Sequence, residues 1–206
     1  MQKEIKAIVF DVDGVLINCE DSAGNFFWQT DLEADLGISI KETSEKLFKK
    51  HWKIISAGKL DTKEAIAIFL KEIGSKHSAS HFLEYWLQND SNVNREVYLL
   101  AKELHQKGIR LFIGTNQEPY RLEHLEKLLN AEKMFEKIFA SCQLGCEKPH
   151  HKFFDKMQEV IQEKPQSILF IDDSEENVLV SKNLGWQGHH FQTIDRLKLD
   201  ILNLLK

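Results

Sequence analysis

The stretch VFDVDGVL, residues 9–16, sets two aspartates, Asp11 and Asp13, against an apolar run (Ile8, Val9, Phe10, Val12) and follows them with Gly14. A continuous apolar run, rather than an alternating one, reads as a strand buried on both faces, the pattern of a parallel sheet. Charged side chains do not belong inside such a strand, so the aspartates mark its end. In an extended chain residues i and i+2 project to the same side. Gly14 then lets the backbone turn sharply away. Like charges this close raise each other's pKa unless a cation neutralises them.

Working outward, residues 5–10, 109–114, 138–141, 167–171 and 189–192 are short, mostly apolar runs that read as strands. Helical spacing fills the gaps in the second half of the chain. Val97, Leu100, Ala101 and Leu104 share a face over 93–107, which stops at Gly108. Further helices are predicted at 120–129, 153–161, 178–184 and 196–205. Strand and helix alternate, which predicts the α/β class: a doubly wound parallel sheet, Rossmann-like, with right-handed crossovers. The alternation breaks once. Between the first strand and residue 93 lie only helical patterns, near 26–36, 42–55, 62–73 and 79–87. Asp61, Thr62 and Glu64 are written like the start of a helix. A connection this long is not a loop. It predicts a helical domain, residues 18–90, inserted into a core built from 1–17 and 91–206.

The 206 residues suffice for such a core with an insert. With 42% hydrophobic and 29% charged residues, the chain is not a disordered one. A net charge of −5, with lysines interleaved among glutamates, argues against nucleic acid as a partner. No apolar run reaches the length of a membrane span, and MQKEIKAIVF lacks a signal-peptide pattern, so no membrane partner is expected. The cysteines, Cys19, Cys142 and Cys146, are sparse and odd in number, which points to a reducing, cytoplasmic setting. A monomer or weak homodimer suits this size.

Open parallel sheets bind ligands beyond the carboxyl ends of their strands. The polar residues at those ends form a set. Asp11 and Asp13 follow the first strand, and Thr115 and Asn116 follow the second in FIGTNQ. Lys148 lies in CEKPH after the third, and Asp172 and Asp173 sit in FIDDSEEN at the end of the fourth. An all-oxygen acidic cluster suits Mg²⁺. A lysine and a hydroxyl at the same edge suit a phosphate. One aspartate of the first pair can attack phosphorus while the other reaches the leaving oxygen.

DVDGVL, then a strand ending in Thr115 and Asn116, then Lys148-Pro149, then IDDS, resembles the haloacid dehalogenase superfamily from residue 9 to about 186. The helical insert resembles that superfamily's cap of the first type. The resemblance implies a role for each position. Asp11 is the nucleophile, forms an aspartyl phosphate and ligates Mg²⁺. Asp13 is the general acid, then the base for water, and its backbone carbonyl is a metal ligand. Thr115 and Asn116 hold phosphate oxygens, and Lys148 neutralises the nucleophile and the transferring phosphoryl. Asp173 contacts the metal directly, and Asp172 does so directly or through water. The implied activity is a Mg²⁺-dependent phosphatase for a small phosphorylated metabolite, such as a sugar phosphate or a nucleotide monophosphate.

Asp13 bears on the branch. Dehalogenase members need no acid for a leaving halide and typically lack the second aspartate, so phosphate esters are favoured over haloacids. A phosphomutase of the beta-phosphoglucomutase type shares every core residue named and stands as the alternative. A phospho-accepting receiver module places its metal-binding pair first and carries no helical insert.

Other features read as structure. Cys142, Cys146, His150 and His151 have poor spacing for zinc. His51, His77 and His81 read as packing or surface histidines. Phe26, Phe27, Trp28, Trp52, Tyr85 and Trp86 are expected in the core of the bundle, some of them lining a pocket under the cap. Asn18 and Cys19 stand where many relatives have Asp-Ser. Cys19 and Glu20 fall at the hinge, near the expected substrate.

Overall fold

The computed structural model describes residues 4–21 and 23–205. Residues 1–3, 22 and 206, which the expected domain boundaries include, lie outside the described residues. Five strands form one sheet: β1 (Ala7–Phe10), β2 (Arg110–Thr115), β3 (Lys137–Ala140), β4 (Ile168–Asp172) and β5 (Gln187–His190). All pair in parallel, in the order β3-β2-β1-β4-β5. β1 is central, with Val9 level with Phe112 on one side and Phe170 on the other.

Both faces of the sheet are covered, which is why the central strands β1, β2 and β4 are largely apolar, while the edge strand β5 reads Gln187-Gly188-His189-His190. Ile8, Phe10 and Ile113 pack with Val97, Leu104, Leu125 and Leu197. Val9, Phe112 and Phe170 pack with Phe153, Phe154, Met157 and Trp186 on the opposite face. The chain winds outward from β1 through β2 to β3, then returns to β4 on β1's other flank. That reversal opens a crevice beyond the ends of β1 and β4.

The helices run in chain order. Between β1 and β2 come α1 (Leu32–Leu36), α2 (Ile40–Glu42), a π-helical segment Thr43–Phe48, α3 (Lys49–Ile55), α4 (Thr62–Glu72), α5 (Ala79–Asn89) and α6 (Arg95–Gln106). After β2 come α7 (Pro119–Leu128), α8 (Ser141–Leu144), α9 (His151–Ile161), α10 (Glu175–Asn183) and α11 (Ile194–Leu204). Several helices begin earlier than apolar spacing predicts, because a polar cap rather than an apolar residue starts them. Glu118 caps α7, His150 caps α9 and Ser174 caps α10, each by accepting a backbone N–H of the first turn. None of the helices is long and apolar enough to cross a membrane, among the described residues.

The helices from α1 to α5 have a core of their own. Trp28, Leu32, Leu47, Ile66, Phe69, Phe82 and Trp86 are buried together. The two chain crossings beneath it run side by side: Ile17 bridges Val93, and Asn18 N donates to Asn92 O at 2.8 Å. A polar seam then ties the helical insert to the core. Thr62 Oγ1 donates to the Glu118 carboxylate, Tyr120 Oη to Asp61 at 2.8 Å, and Ser141 Oγ to Ser56 O at 2.7 Å. At Gly58 (φ +68°) a Cβ would stand 2.7 Å from Cys142 O, so the seam closes tightly there.

Candidate active site

β1 ends at Phe10, and the next residue, Asp11, is 7% exposed. Its Oδ1 accepts from Val12 N at 2.7 Å and lies 2.8 Å from Lys148 Nζ. Lys148 reaches a second carboxylate, donating to Asp172 Oδ2 at 2.7 Å. Asp172 is the last residue of β4 and fully buried. Its other oxygen accepts from Ser174 N and from Asn177 Nδ2, both at 2.9 Å. Burial opposes the charge on Lys148, but Asp11 and Asp172 hold its ammonium above the ordinary lysine value. Burial pushes Asp11 well above the carboxylate range against the pull of Lys148, and Asp172 adds to the rise.

Asp173 stands beside them but opens to the cleft. Oxygens of Asp11, Asp172 and Asp173 lie within 4.8 Å of one another. Loss of solvent first, then the neighbouring Asp172 charge, push the Asp173 carboxyl up to about 6. Three hard oxygen donors that repel one another fit a small divalent cation. Asp172 is already spoken for by three donors, which leaves Asp11 and Asp173 as the freer ligands. Gly14 makes the cluster possible. Its φ is +74°, and a Cβ there would fall 2.2 Å from Asp173 Oδ2.

Asp13 is held from the other side. Arg121, at the start of α7, grips it in a fork, with Nη1 to Oδ2 at 2.9 Å and Nη2 to Oδ1 at 2.6 Å. Gln117 Nε2 donates to Asp13 Oδ2 at 2.6 Å and to Thr115 Oγ1 at 3.2 Å. Arg121 is 3% exposed. Its Nε lies 2.9 Å from Asp90 Oδ2, out of line for a hydrogen bond. Burial works against the guanidinium, yet Asp13 and Asp90 keep it firmly charged.

Every residue expected at this edge is therefore at it, but Asn116 has a partner the sequence did not suggest. Its amide donates to Lys148 O at 3.0 Å and accepts from Lys148 N at 2.9 Å. Its side chain thus positions the lysine. A cavity of about 620 Å³ opens above these groups, walled on the far side by the helical insert. Cys19 and Glu20 line it. Burial, then Asp13, raise the Cys19 thiol to about 12.

A family model described as haloacid dehalogenase-like hydrolase matches residues 5–185. The chain belongs to that family. It is 25% identical over 189 residues to sesquiterpene phosphatase astK of Aspergillus oryzae, covering 90% of this chain and 89% of the relative. It is 24% identical over 199 residues to D-ribitol-5-phosphate phosphatase of Bacteroides thetaiotaomicron, covering 89% and 90%. A haloacid dehalogenase family enzyme from the same organism, solved with magnesium and inorganic phosphate, shares the fold. It superposes with a TM-score of 0.77 at 20% identity, over 91% of this chain and 94% of that one.

Sequence reasoning missed Gln117, Arg121, Asp90 and Asn177. For Arg121 there was a signal. A cation in the first turn of a helix opposes the helix dipole. One placed beside the core-facing Leu122 and Leu125, after the Glu118 cap, needs a buried carboxylate to explain it.

Proposed function

We propose that this hydrolase is a Mg²⁺-dependent phosphatase, cleaving phosphate monoesters of small organic molecules through an aspartyl phosphate on Asp11. The observation that carries the reading is the shared position of Asp11, between Lys148 Nζ at 2.8 Å and the oxygens of Asp172 and Asp173. In this reading residues 18–90 act as the cap over a core of 1–17 and 91–206.

Asp11 attacks phosphorus and the ester P–O bond breaks, while Asp13 gives its proton to the departing alkoxide. Water then attacks the aspartyl phosphate and gives its proton to Asp13. Orthophosphate leaves and Asp11 is restored. Arg121 and Gln117 fix the rotamer of Asp13 for both transfers. Lys148 neutralises Asp11 and the phosphoryl oxygens, with Thr115 Oγ1 as a donor beside it. Asn116 supports that lysine from behind. Asp11, Asp172, Asp173 and the Asp13 carbonyl would hold Mg²⁺, which would supply the positive charge that lets a phosphate dianion approach carboxylates.

The names of curated relatives support phosphoryl chemistry: a sesquiterpene phosphatase and a ribitol-phosphate phosphatase. The test is release of inorganic phosphate from a monoester panel with Mg²⁺, set beside Asp11→Asn. The expected result is a loss of about 10³-fold or more with the variant, as for other nucleophile removals. Full activity of Asp11→Asn removes the nucleophile assignment. Isomerised product without phosphate release points to a phosphomutase instead.

A further inference from the structure

The cavity above Asp11 is far larger than a phosphate requires. At about 620 Å³ it falls within the range of about 300–1,000 Å³ that accepts a whole organic ligand. Its cap wall is aromatic. Phe48 stands edge-on to Trp28 and Trp86, with ring centroids 5.7 Å and 5.2 Å away. Trp52 extends this web, 5.9 Å from Phe48 and 6.3 Å from Trp86. Trp28 and Trp86 are buried at its back, and Phe48 and Trp52 are half-open to the cavity. Phe26, 41% exposed, completes the lining. Phe48 lies on the π-helical segment, an irregularity that recurs at functional sites.

The charges of the cavity point the same way. Its buried cations are already paired, Lys148 with Asp11 and Asp172, and Arg121 with Asp13 and Asp90. The other cations of the lining, Lys49 and Lys53, are solvent-exposed. A second phosphate or a carboxylate on the substrate would find no desolvated cation under the aromatic wall, and Glu20 and Asp90 would repel it. The uncharged polar groups on the cap side, Gln29 and Ser44, can serve a single polar substituent rather than a ring of hydroxyls. Aromatic edges and faces left open beside a reaction centre suit a flat apolar group, which they meet by stacking and edge contacts.

We propose that the substrate's alcohol is a ring-bearing apolar group, seated between Phe26, Phe48 and Trp52, and that sugar phosphates, bisphosphates and inorganic pyrophosphate are disfavoured. The inference rests on the phosphatase reading and narrows it. The test compares kcat/KM of the Mg²⁺-loaded wild-type enzyme for primary alkyl monoesters of similar leaving-group basicity. The panel is 2-(2-naphthyl)ethyl phosphate, ethyl phosphate, glycerol 3-phosphate and glucose 6-phosphate. The naphthyl ester is expected to lead by about 100-fold, the discrimination a hydrophobic pocket supplies for one or two buried methylenes. Trp52→Ala is expected to lower the naphthyl ester's kcat/KM about tenfold more than that of ethyl phosphate. Hydrolysis of the panel with no naphthyl preference, or with the polar esters ahead, overturns the proposal and leaves the phosphatase reading intact. Failure to hydrolyse any of these esters, or acetyl phosphate, overturns that reading itself. The wild-type panel decides the matter even where Trp52→Ala fails to fold.

Discussion

Asp173 carries the site's pH dependence toward metal. Its carboxyl is raised to about 6 by loss of solvent and by Asp172. A cation binds the ionised form, so proton and metal compete. Above pH 7 this group is ionised and imposes no cost. Below pH 6 the apparent Mg²⁺ affinity is expected to fall by at least about tenfold per unit, as Asp173 must give up its proton for each ion bound and the raised Asp11 carboxyl adds to the competition. Calorimetric titrations at pH 7.5 and pH 5 check this. Equal affinities at the two values would remove Asp173 from the ligand set. Gly14 belongs to the same account, because its bare α-carbon is what admits the Asp173 carboxylate. The glycine was readable as a turn after DVD, but the carboxylate lying against it, from about 160 residues away in sequence, was not.

Helix α7 does more than its apolar stripe suggests. Glu118 caps it, pins Thr62 of α4 across the seam, and sits buried, which raises its carboxyl above the usual range. One turn further in, Arg121 is shared by Asp13 of the core and Asp90 at the end of α5. Removing it strands Asp13 and Asp90 as unpaired carboxylates, Asp90 nearly buried. Arg121→Met is expected to cost about 3–5 kcal/mol, the toll of breaking a buried ion pair from one side. Arg121→Lys should lie between, since an ammonium keeps the charge but cannot fork onto Asp13. Urea unfolding midpoints for both variants measure the difference. An unchanged midpoint in Arg121→Met would show that the pair contributes nothing to the fold. The helix itself was legible from Leu122, Leu125 and Leu129. Its polar first turn was not, because a charge on a helix declares its partner only once another segment has packed against it.

At the scale of the whole molecule, three acidic side chains converge from two strands onto one rim, and folding must bear their repulsion. A cation that binds only the folded arrangement relieves it. At a hundredfold excess over its dissociation constant, Mg²⁺ is expected to stabilise the fold by about 2.7 kcal/mol. For a chain of 206 residues that is a rise in melting temperature of about 5–10 °C, read by thermal denaturation with Mg²⁺ against EDTA. No rise would mean that the folded protein holds no ion there. The sequence by itself determined the strands, their parallel class and the site of the helical insert, because hydrophobic period and chain length are local properties. It also placed the acidic pairs at strand ends, since a charge cannot sit inside a doubly covered strand, with the threonine closing the second strand and the lysine in the loop after the third. Tertiary structure alone decided which side chains face each other. It gave Asn116 to Lys148, Arg121 to Asp13 and Asp90, and turned part of the bundle's aromatic core toward the acidic cluster. Those pairings join segments at least thirty residues apart, and only tertiary packing, of segments within the core and of the insert on the core, brings them within hydrogen-bonding and contact distance.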